Sequence, residues 1–189
     1  MHLPGKALHL LLRAVSLLPA NVEYTLHILG EGPSTLDWRA YAAELGVESR
    51  CKWYGRLKRK DALEVMGASQ LFIITSLKDL TSTVAIEALA LGLPIVCLNH
   101  CGFADVVTPE CGIKIEPRSV GDIVSGLCTA VSTLYYNEAL RYGLAKGAIV
   151  RSQEYSWPSK MAKLDLIYKV VLNLSVSRAI CVVRTSATH

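Results

Sequence analysis

The sequence has little charge and contains no extended run of charged residues. Only 19% of its 189 residues are charged, whereas 51% are hydrophobic, and the formal net charge is +4. This composition is typical of a globular chain with a large core and excludes a disordered one. No stripe of Lys and Arg interleaved with aromatic residues is present, which argues against nucleic acid as a partner. The densest basic run, Arg56-Leu-Lys-Arg-Lys60, is typical of a solvated loop, although it would also favour anionic ligands or lipid head groups.

The cysteines lack the spacing of a metal site. Six are present without any CxxC pair, and several lie in apolar strand-like runs, where Cys behaves as a small hydrophobic residue. The stretch Cys97-Leu-Asn-His-Cys101 with Cys111 is compatible with zinc, but it lacks finger or ribbon spacing. We therefore expect reduced thiols and no metal. We also expect no organic cofactor.

No uninterrupted apolar run reaches the roughly 18 residues that a membrane-spanning helix needs. The first 20 residues resemble a signal peptide, but His9 and Arg13 interrupt the apolar centre of this stretch. One helical face carries the apolar residues Leu8, Leu11, Leu12, Val15 and Leu18, which favours an amphipathic core helix. We expect a cytoplasmic protein, and membrane association stays open.

Apolar strand-like runs alternate with helical patterns along the chain. Strands are predicted within 24–33, where the strand runs into a Gly-rich turn, and at 51–55, 71–75, 94–99 and 112–116. Helices lie between them, and a helical remainder ends near residue 171. This order predicts an α/β fold: a single Rossmann-like domain with a mostly parallel sheet flanked by helices. Ligands of such sheets bind beyond the carboxyl ends of the strands. We assign residues 1–172 to this domain and residues 173–189 to a C-terminal tail.

One helix carries an isolated carboxylate. Asp79 and Glu87 stand eight positions apart around a hydroxyl-rich helix start, and Gly92 ends the helix that follows. Glu87 lies among apolar residues, so a buried position would require a partner for its charge. A strand, a short loop and a hydroxyl-capped helix start can hold phosphate. Two interpretations stay open: the acids accept hydrogen bonds from a ligand's hydroxyl groups, or Asp79 is solvated and Glu87 pairs with an Arg or Lys.

The ordered motifs resemble a known family. The segments GK, LHILGEGP, WYGRL, LFIITSLKDLTSTVAIEALALGLPIV, CGFADVV, GIKIEP and YSW follow one another through residues 5 to 157. Together they resemble the C-terminal, donor-binding domain of glycosyltransferase family 4. The members of this family are retaining, metal-independent enzymes of the two-domain GT-B architecture. The most specific part is 71–97, which is similar to the family's pair of acids followed by an EAxAxGxP helix end.

The resemblance implies a role for individual residues. Glu87 matches the acid that binds the ribose of the nucleotide, and Asp79, where Glu is usual, matches the acid that contacts the transferred sugar. Ser82 and Thr83 fall where backbone amides hold the diphosphate, and Lys6 matches a lysine that neutralises it, although Ala7 replaces the usual Gly. The remaining matches lie at the mouth of the site. Leu57 falls where the backbone recognises the nucleotide base, and Gly30 and Gly32 lie in the first loop. Asp105 lies in a loop that usually carries Glu in the family.

The resemblance implies a nucleotide-diphosphate sugar as substrate and a hexosyltransferase as the enzyme class. The acceptor would be a glycan or a lipid-linked molecule. The chain lacks the family's acceptor-binding N-terminal domain, and we expect it to bind donor but to be inactive alone. That domain or a partner chain would complete the enzyme and supply any peripheral membrane contact. The alternative is a non-catalytic binding or regulatory subunit with half of a GT-B fold, which also needs a partner chain.

The family's first strand, normally just before Gly5-Lys6, is also missing. This strand is central in a doubly wound order, so its loss predicts a gap between its two neighbours. The apolar run at residues 178–184 suits a strand covered on both faces, and we hypothesise that it fills the gap.

Overall fold

The computed structural model describes residues 6–77 and 83–184, without the side chains of 173–184. The strands are β1 (Leu26–Leu29), β2 (Cys51–Gly55), β3 (Phe72–Ile74), β4 (Ile95–Leu98) and β5 (Gly112–Ile115). The helices are α1 (Leu8–Ser16), α2 (Thr35–Glu44), α3 (Arg59–Gly67), α4 (Thr83–Ala90), α5 (Phe103–Val106), α6 (Val120–Tyr136), α7 (Glu138–Gln153) and α8 (Trp157–Arg184). The described residues form two compact units that divide between Ser152 and Gln153.

The first unit has the predicted alternation of strands and helices, and each strand lies within the range expected from sequence. β4 is buried at all four positions, as expected of a central strand with a continuous apolar sequence. α4 stops where Gly92 adopts a left-handed φ of 72°. Ser119 caps α6 by accepting a hydrogen bond from the backbone N–H of Asp122 at 3.1 Å.

The strands form two parallel sheets instead of one. One sheet has the order β1-β2 and the other the order β3-β4-β5, and all three strand pairs are parallel. β1 and β3 are therefore the inner edges of a sheet that is interrupted between them. The interruption lies where the sequence analysis expects a gap between neighbouring strands.

The core lies on both faces of the larger sheet. On one face, α1 and α6 pack against β4 and β5, with Leu10, Val96 and Leu127 fully or almost fully buried. On the other face, α4 and α5 pack against β3 and β4, where Leu89 and Phe103 are buried. α1 is thus a core helix, as its amphipathic pattern predicts.

The second unit consists mainly of α8, a helix of 28 residues. The hypothesis that residues 178–184 form a strand in the gap is wrong, because these residues are the last turns of α8. Helical backbone satisfies its hydrogen bonds within the segment, so it leaves no edge that could pair with β1 or β3. The domain end assigned at residue 172 falls inside this helix. Within the described part of the chain, no helix is long and apolar enough to span a membrane.

Candidate functional site

A large cavity opens where β1 and β3 end. It has a volume of about 1340 Å³ and is lined by the whole of both strands and by the loops that follow them. This volume exceeds the roughly 300–1,000 Å³ of most small-molecule sites, so the cavity combines a ligand-sized mouth with the space between the strands. The mouth lies at the carboxyl edge of a parallel sheet, where α/β proteins bind their ligands.

Glu87 lies in the wall of this cavity and has a protein partner. The Nε of Arg59 donates to its Oε1 at 2.8 Å. The side chain of Glu87 is 25% exposed, whereas that of Arg59 is 76% exposed, so the carboxylate is fixed by α4 and the guanidinium extends into solvent. The prediction that this carboxylate needs a partner is confirmed. An ion pair with one exposed member contributes at most about 1 kcal/mol, so a ligand hydroxyl group can compete for Glu87.

Lys6 is positioned beside the end of β3. The hydroxyl of Thr75 donates to the Lys6 carbonyl oxygen at 2.9 Å, and both residues line the cavity. Ala7, the next residue, is fully buried with a left-handed φ of 46°. An L-residue has a steric penalty in this conformation, and the Gly that the resemblance implies at this position would avoid it.

The loop after β1 forms the opposite lip of the mouth. Gly30 has a φ of 100°, which turns the chain sharply, and its N–H donates to the Gly55 carbonyl oxygen at 2.8 Å. The N–H of Gly32 donates to Oγ1 of Thr35, the first residue of α2, at 2.8 Å. Glu31 lies between the two glycines, and its Oε1 is 3.7 Å from the Nε of Arg56. The basic run that we assigned to a solvated loop therefore supplies cations to Glu31 and Glu87, two of the acidic residues that line the cavity.

Ser76 is a site residue that the sequence analysis missed. It follows β3, lines the cavity and is only 1% exposed, yet its Oγ has no hydrogen-bond partner among the described residues. A buried hydroxyl without a partner costs roughly 1–3 kcal/mol, which suggests that a ligand or water satisfies it. The available signal was a polar residue at the carboxyl end of an apolar strand.

The other predicted residues fall into two groups. Leu57, Thr83 and Asp105 are described but are not among the residues that line the cavity. Asp79 and Ser82 lie outside the described residues. The structure therefore brings Lys6, Gly30, Gly32 and Glu87 to one cavity.

The cysteines do not form a metal centre in the part of the chain that the structure describes, since no three His, Cys, Asp or Glu side chains there are arranged to hold an ion. Burial raises the pKa of the Cys97 thiol to about 12, and Lys114 only partly opposes this effect. The five described cysteines are free thiols. Cys97 is thus a core residue in its protonated form.

Comparisons with known proteins agree with this fold. The sequence profile of the family described as "Glycosyl transferases group 1" matches residues 3–141. The D-inositol 3-phosphate glycosyltransferase of Corynebacterium glutamicum is 27% identical over 173 residues, which cover 87% of this chain and 40% of that protein.

Two solved structures show the same architecture. The sucrose-phosphate synthase of Thermosynechococcus elongatus superposes with a TM-score of 0.73 at 20% identity and covers 90% of this chain and 43% of its own. HepE of Anabaena, solved in complex with UDP, has a TM-score of 0.74 at 21% identity. The match covers 89% of this chain and 47% of HepE. The chain thus spans less than half the length of these proteins. Because the family profile matches well over half of its residues, the chain belongs to the group 1 glycosyltransferases and has the α/β fold of the GT-B enzymes.

Proposed function

We propose that this chain binds the sugar donor of a retaining, metal-independent glycosyltransferase. The enzyme would transfer a hexose from a nucleotide-diphosphate sugar to a glycan or a lipid-linked acceptor. Family membership supports the reaction class, and the cavity at the carboxyl edge of β1 and β3 supports the position of the donor. No separate cofactor is part of the proposal.

The observation that carries this proposal is the position of Glu87. α4 fixes its carboxylate in the cavity wall, and an exposed arginine is the partner. A carboxylate held in this way can accept hydrogen bonds from two neighbouring hydroxyl groups, as a ribose presents them. Ser76 offers a further hydroxyl within the same cavity.

The diphosphate would be bound by positive charge near the mouth. Lys6 and Arg59 both line the cavity, and α4 begins at Thr83. Cations and the positive end of a helix stabilise a leaving diphosphate as negative charge develops on it. The roles of Asp79, Ser82, Thr83 and Leu57 remain predictions from the family resemblance.

We also propose that sugar transfer requires a second, acceptor-binding half of the enzyme. The chain spans 40% of the Corynebacterium relative, and the acceptor-binding half would be supplied by further polypeptide. The alternative is a non-catalytic subunit with the same half fold. The Arg59–Glu87 pair is compatible with that alternative as well, because it gives the carboxylate a partner within the protein.

Isothermal titration calorimetry separates the two functions. UDP, GDP and ADP, with the matching monophosphates, are titrated into the folded chain with and without EDTA. We expect one diphosphate to bind in the micromolar range, unaffected by EDTA. Glu87→Gln should weaken this binding about 10- to 100-fold, since hydrogen bonds to a charged group contribute about 1.5–3 kcal/mol.

Two further variants separate an effect on binding from an effect on folding. Glu64→Gln removes an exposed carboxylate of α3 that pairs with Lys60 at 3.9 Å, and it should leave the affinity unchanged. Arg59→Gln removes the protein partner of Glu87 and should leave the folding free energy within about 1 kcal/mol. Absence of binding by the folded chain would support the non-catalytic subunit, and loss of binding in EDTA would contradict metal independence.

A further inference from the structure

Arg59 occupies the carboxylate that the proposed function assigns to the ribose. Its Nε donates to Oε1 of Glu87 at 2.8 Å, and both side chains line the cavity. Arg59 is the first residue of α3, and α3 packs against α4, which carries Glu87. The Glu87 side chain is only 25% exposed, so little of its surface is left for a second partner. A ribose that hydrogen-bonds to this carboxylate therefore has to compete with Arg59.

The pair adds little to the stability of the fold. The Arg59 side chain is 76% exposed, and exposed ion pairs are weak because water screens both charges. Arg59 also lies at the start of α3, where the positive end of the helix dipole disfavours a cation. Exposed side chains change their rotamers rapidly. Arg59 can therefore exchange Glu87 for a stronger acceptor at low cost.

The neighbouring cations of the basic run are placed differently. The Nε of Arg56 lies 3.7 Å from Oε1 of Glu31. The Nζ of Lys60 lies 3.9 Å from Oε1 of Glu64 on the same helix. Of these three described cations, only Arg59 lines the cavity. The fold therefore brings one arginine, and not the basic run as a whole, to the carboxylate of α4.

A nucleoside diphosphate offers Arg59 a second acceptor. Its ribose hydroxyl groups can donate to Glu87, and its phosphate oxygens, attached to the same ribose, carry negative charge. A guanidinium donates to phosphate in a planar, often bidentate arrangement, and such bonds are stronger than those between neutral groups. A nucleoside supplies the hydroxyl groups alone. It displaces the guanidinium into water and provides no anionic acceptor in exchange.

We propose that Arg59 makes this site specific for phosphorylated ligands by exchanging partners. Its guanidinium pairs with Glu87 until the ribose of the donor binds there, and then turns to the diphosphate of the same molecule. A ligand with a diphosphate forms a new bond in this exchange, whereas a nucleoside only breaks one. The inference rests on the proposed binding of the donor at Glu87.

Calorimetric titration of the full chain and two variants tests this exchange. UDP, GDP and ADP are the diphosphates, and uridine, guanosine and adenosine are the matching nucleosides. Arg59→Ala removes the guanidinium. Lys60→Ala is the matched control, because it removes the same charge from the next position of α3, outside the cavity. The affinity of each nucleoside is measured by displacement of the diphosphate.

We expect Arg59→Ala to change the two affinities in opposite directions. The diphosphate should bind about tenfold more weakly, because a bond between charged groups is lost. The nucleoside should bind about two- to fivefold more tightly, because Glu87 no longer has a competing partner. Lys60→Ala should leave both affinities within about twofold of those of the unsubstituted chain. A loss of folded structure would weaken both ligands, so the opposite signs isolate the exchange.

The Nε–H of Arg59 reports the exchange directly in NMR spectra. Its hydrogen bond to Glu87 slows exchange of this proton with water. The nucleoside should speed the proton exchange, whereas the diphosphate should shift the resonance and leave the proton exchange slow. In the Glu87→Gln background, Arg59→Ala should no longer tighten nucleoside binding, because the competition requires both side chains.

Three results would overturn the inference. A nucleoside affinity that does not rise in Arg59→Ala would show that Arg59 does not compete for Glu87. An unchanged diphosphate affinity would show that the guanidinium does not bind the phosphates, and an equal loss in Lys60→Ala would show a general effect of charge. Absence of binding of every diphosphate to the folded chain is a different result, because it would overturn the proposed donor site and this inference together.

Discussion

At the scale of the residue, Glu87 illustrates how a partner can be expected without being identified. Its apolar neighbours in the sequence require a partner for the carboxylate, and Arg59 is that partner at 2.8 Å. The two residues are 28 positions apart, and the sequence contains 20 Lys and Arg residues from which to choose. Only the packing of α3 beside α4 selects Arg59. A role of Glu87 in ribose binding stays a prediction.

Ser76 permits a test that separates stability from binding. Its hydroxyl is buried without a partner among the described residues, so Ser76→Ala should raise the free energy of unfolding by about 1 kcal/mol. If the hydroxyl contacts the donor, the same variant should weaken nucleotide binding several-fold. Urea unfolding and calorimetric titration of the same preparations measure the two effects.

Ser69→Ala is the matched control for this prediction. Ser69 also lines the cavity, but it precedes β3 and so lies away from the mouth, and its half-buried hydroxyl donates to the Val65 carbonyl oxygen at 2.9 Å. Its removal should not stabilise the chain, because a satisfied group is lost, and it should leave nucleotide affinity unchanged. A fall in stability of Ser76→Ala would show that Ser76 has a partner in solution.

At the scale of the element, α7 contains two glycines with opposite environments. A Cβ on Gly147 would collide with the carbonyl group of Glu110, just before β5, whereas a Cβ on Gly143 would meet nothing within 4 Å. Gly147 therefore permits a close approach between α7 and this loop. Gly143 is exposed and gives the helix no comparable contact.

Substitution by alanine should consequently have opposite effects at the two positions. Gly143→Ala should stabilise the chain by about 0.5–1 kcal/mol, because alanine restricts the unfolded chain and favours helix. Gly147→Ala should destabilise it by about 1–3 kcal/mol through steric overlap. Thermal or urea unfolding measures both variants, and equal effects would contradict the close packing of α7 on Glu110.

α8 shows where local sequence patterns mislead. The run at 178–184 is rich in residues that favour strands, yet it continues a helix that begins at Trp157. Strand propensity expresses packing on a pleated surface more than a backbone preference. A helix that is already formed extends at little cost, so the preceding residues determine the outcome.

At the scale of the whole molecule, stability should depend on the protonation of His9. Partial burial in α1 lowers the pKa of this imidazole below its ordinary value of 6.5. The unfolded chain then binds more protons than the folded chain at mildly acidic pH, so the free energy of unfolding falls as the pH drops below about 6.5. The free energy of unfolding stops falling once the pH is below the pKa of His9 in the folded chain, because the imidazole is then protonated in both the folded and the unfolded chain.

The variant His9→Gln isolates this contribution. Urea unfolding at pH 7.5 and pH 5 should show a smaller loss of stability for the variant than for the unsubstituted chain. The difference should stay below about 1 kcal/mol, because the side chain is only half-buried and solvent screens its charge. An identical pH dependence of the two proteins would contradict a shifted His9 pKa.

The sequence by itself determined the order of the elements and the class of fold. Each of the five strands lies within its predicted range, because apolar runs bounded by Gly and Pro are local signals. The segment around Glu87 also identified the family that the sequence profile confirms over residues 3–141. These features depend on neighbouring residues, so sequence patterns are sufficient to predict them.

The tertiary structure alone decided which distant residues meet. It paired Glu87 with Arg59, left the Ser76 hydroxyl without a described partner in the cavity wall, and placed residues 178–184 in a helix. It also left a cavity between the facing edges of β1 and β3. These outcomes depend on contacts between residues far apart in the chain, and the free energy of such contacts is defined only once the elements have packed.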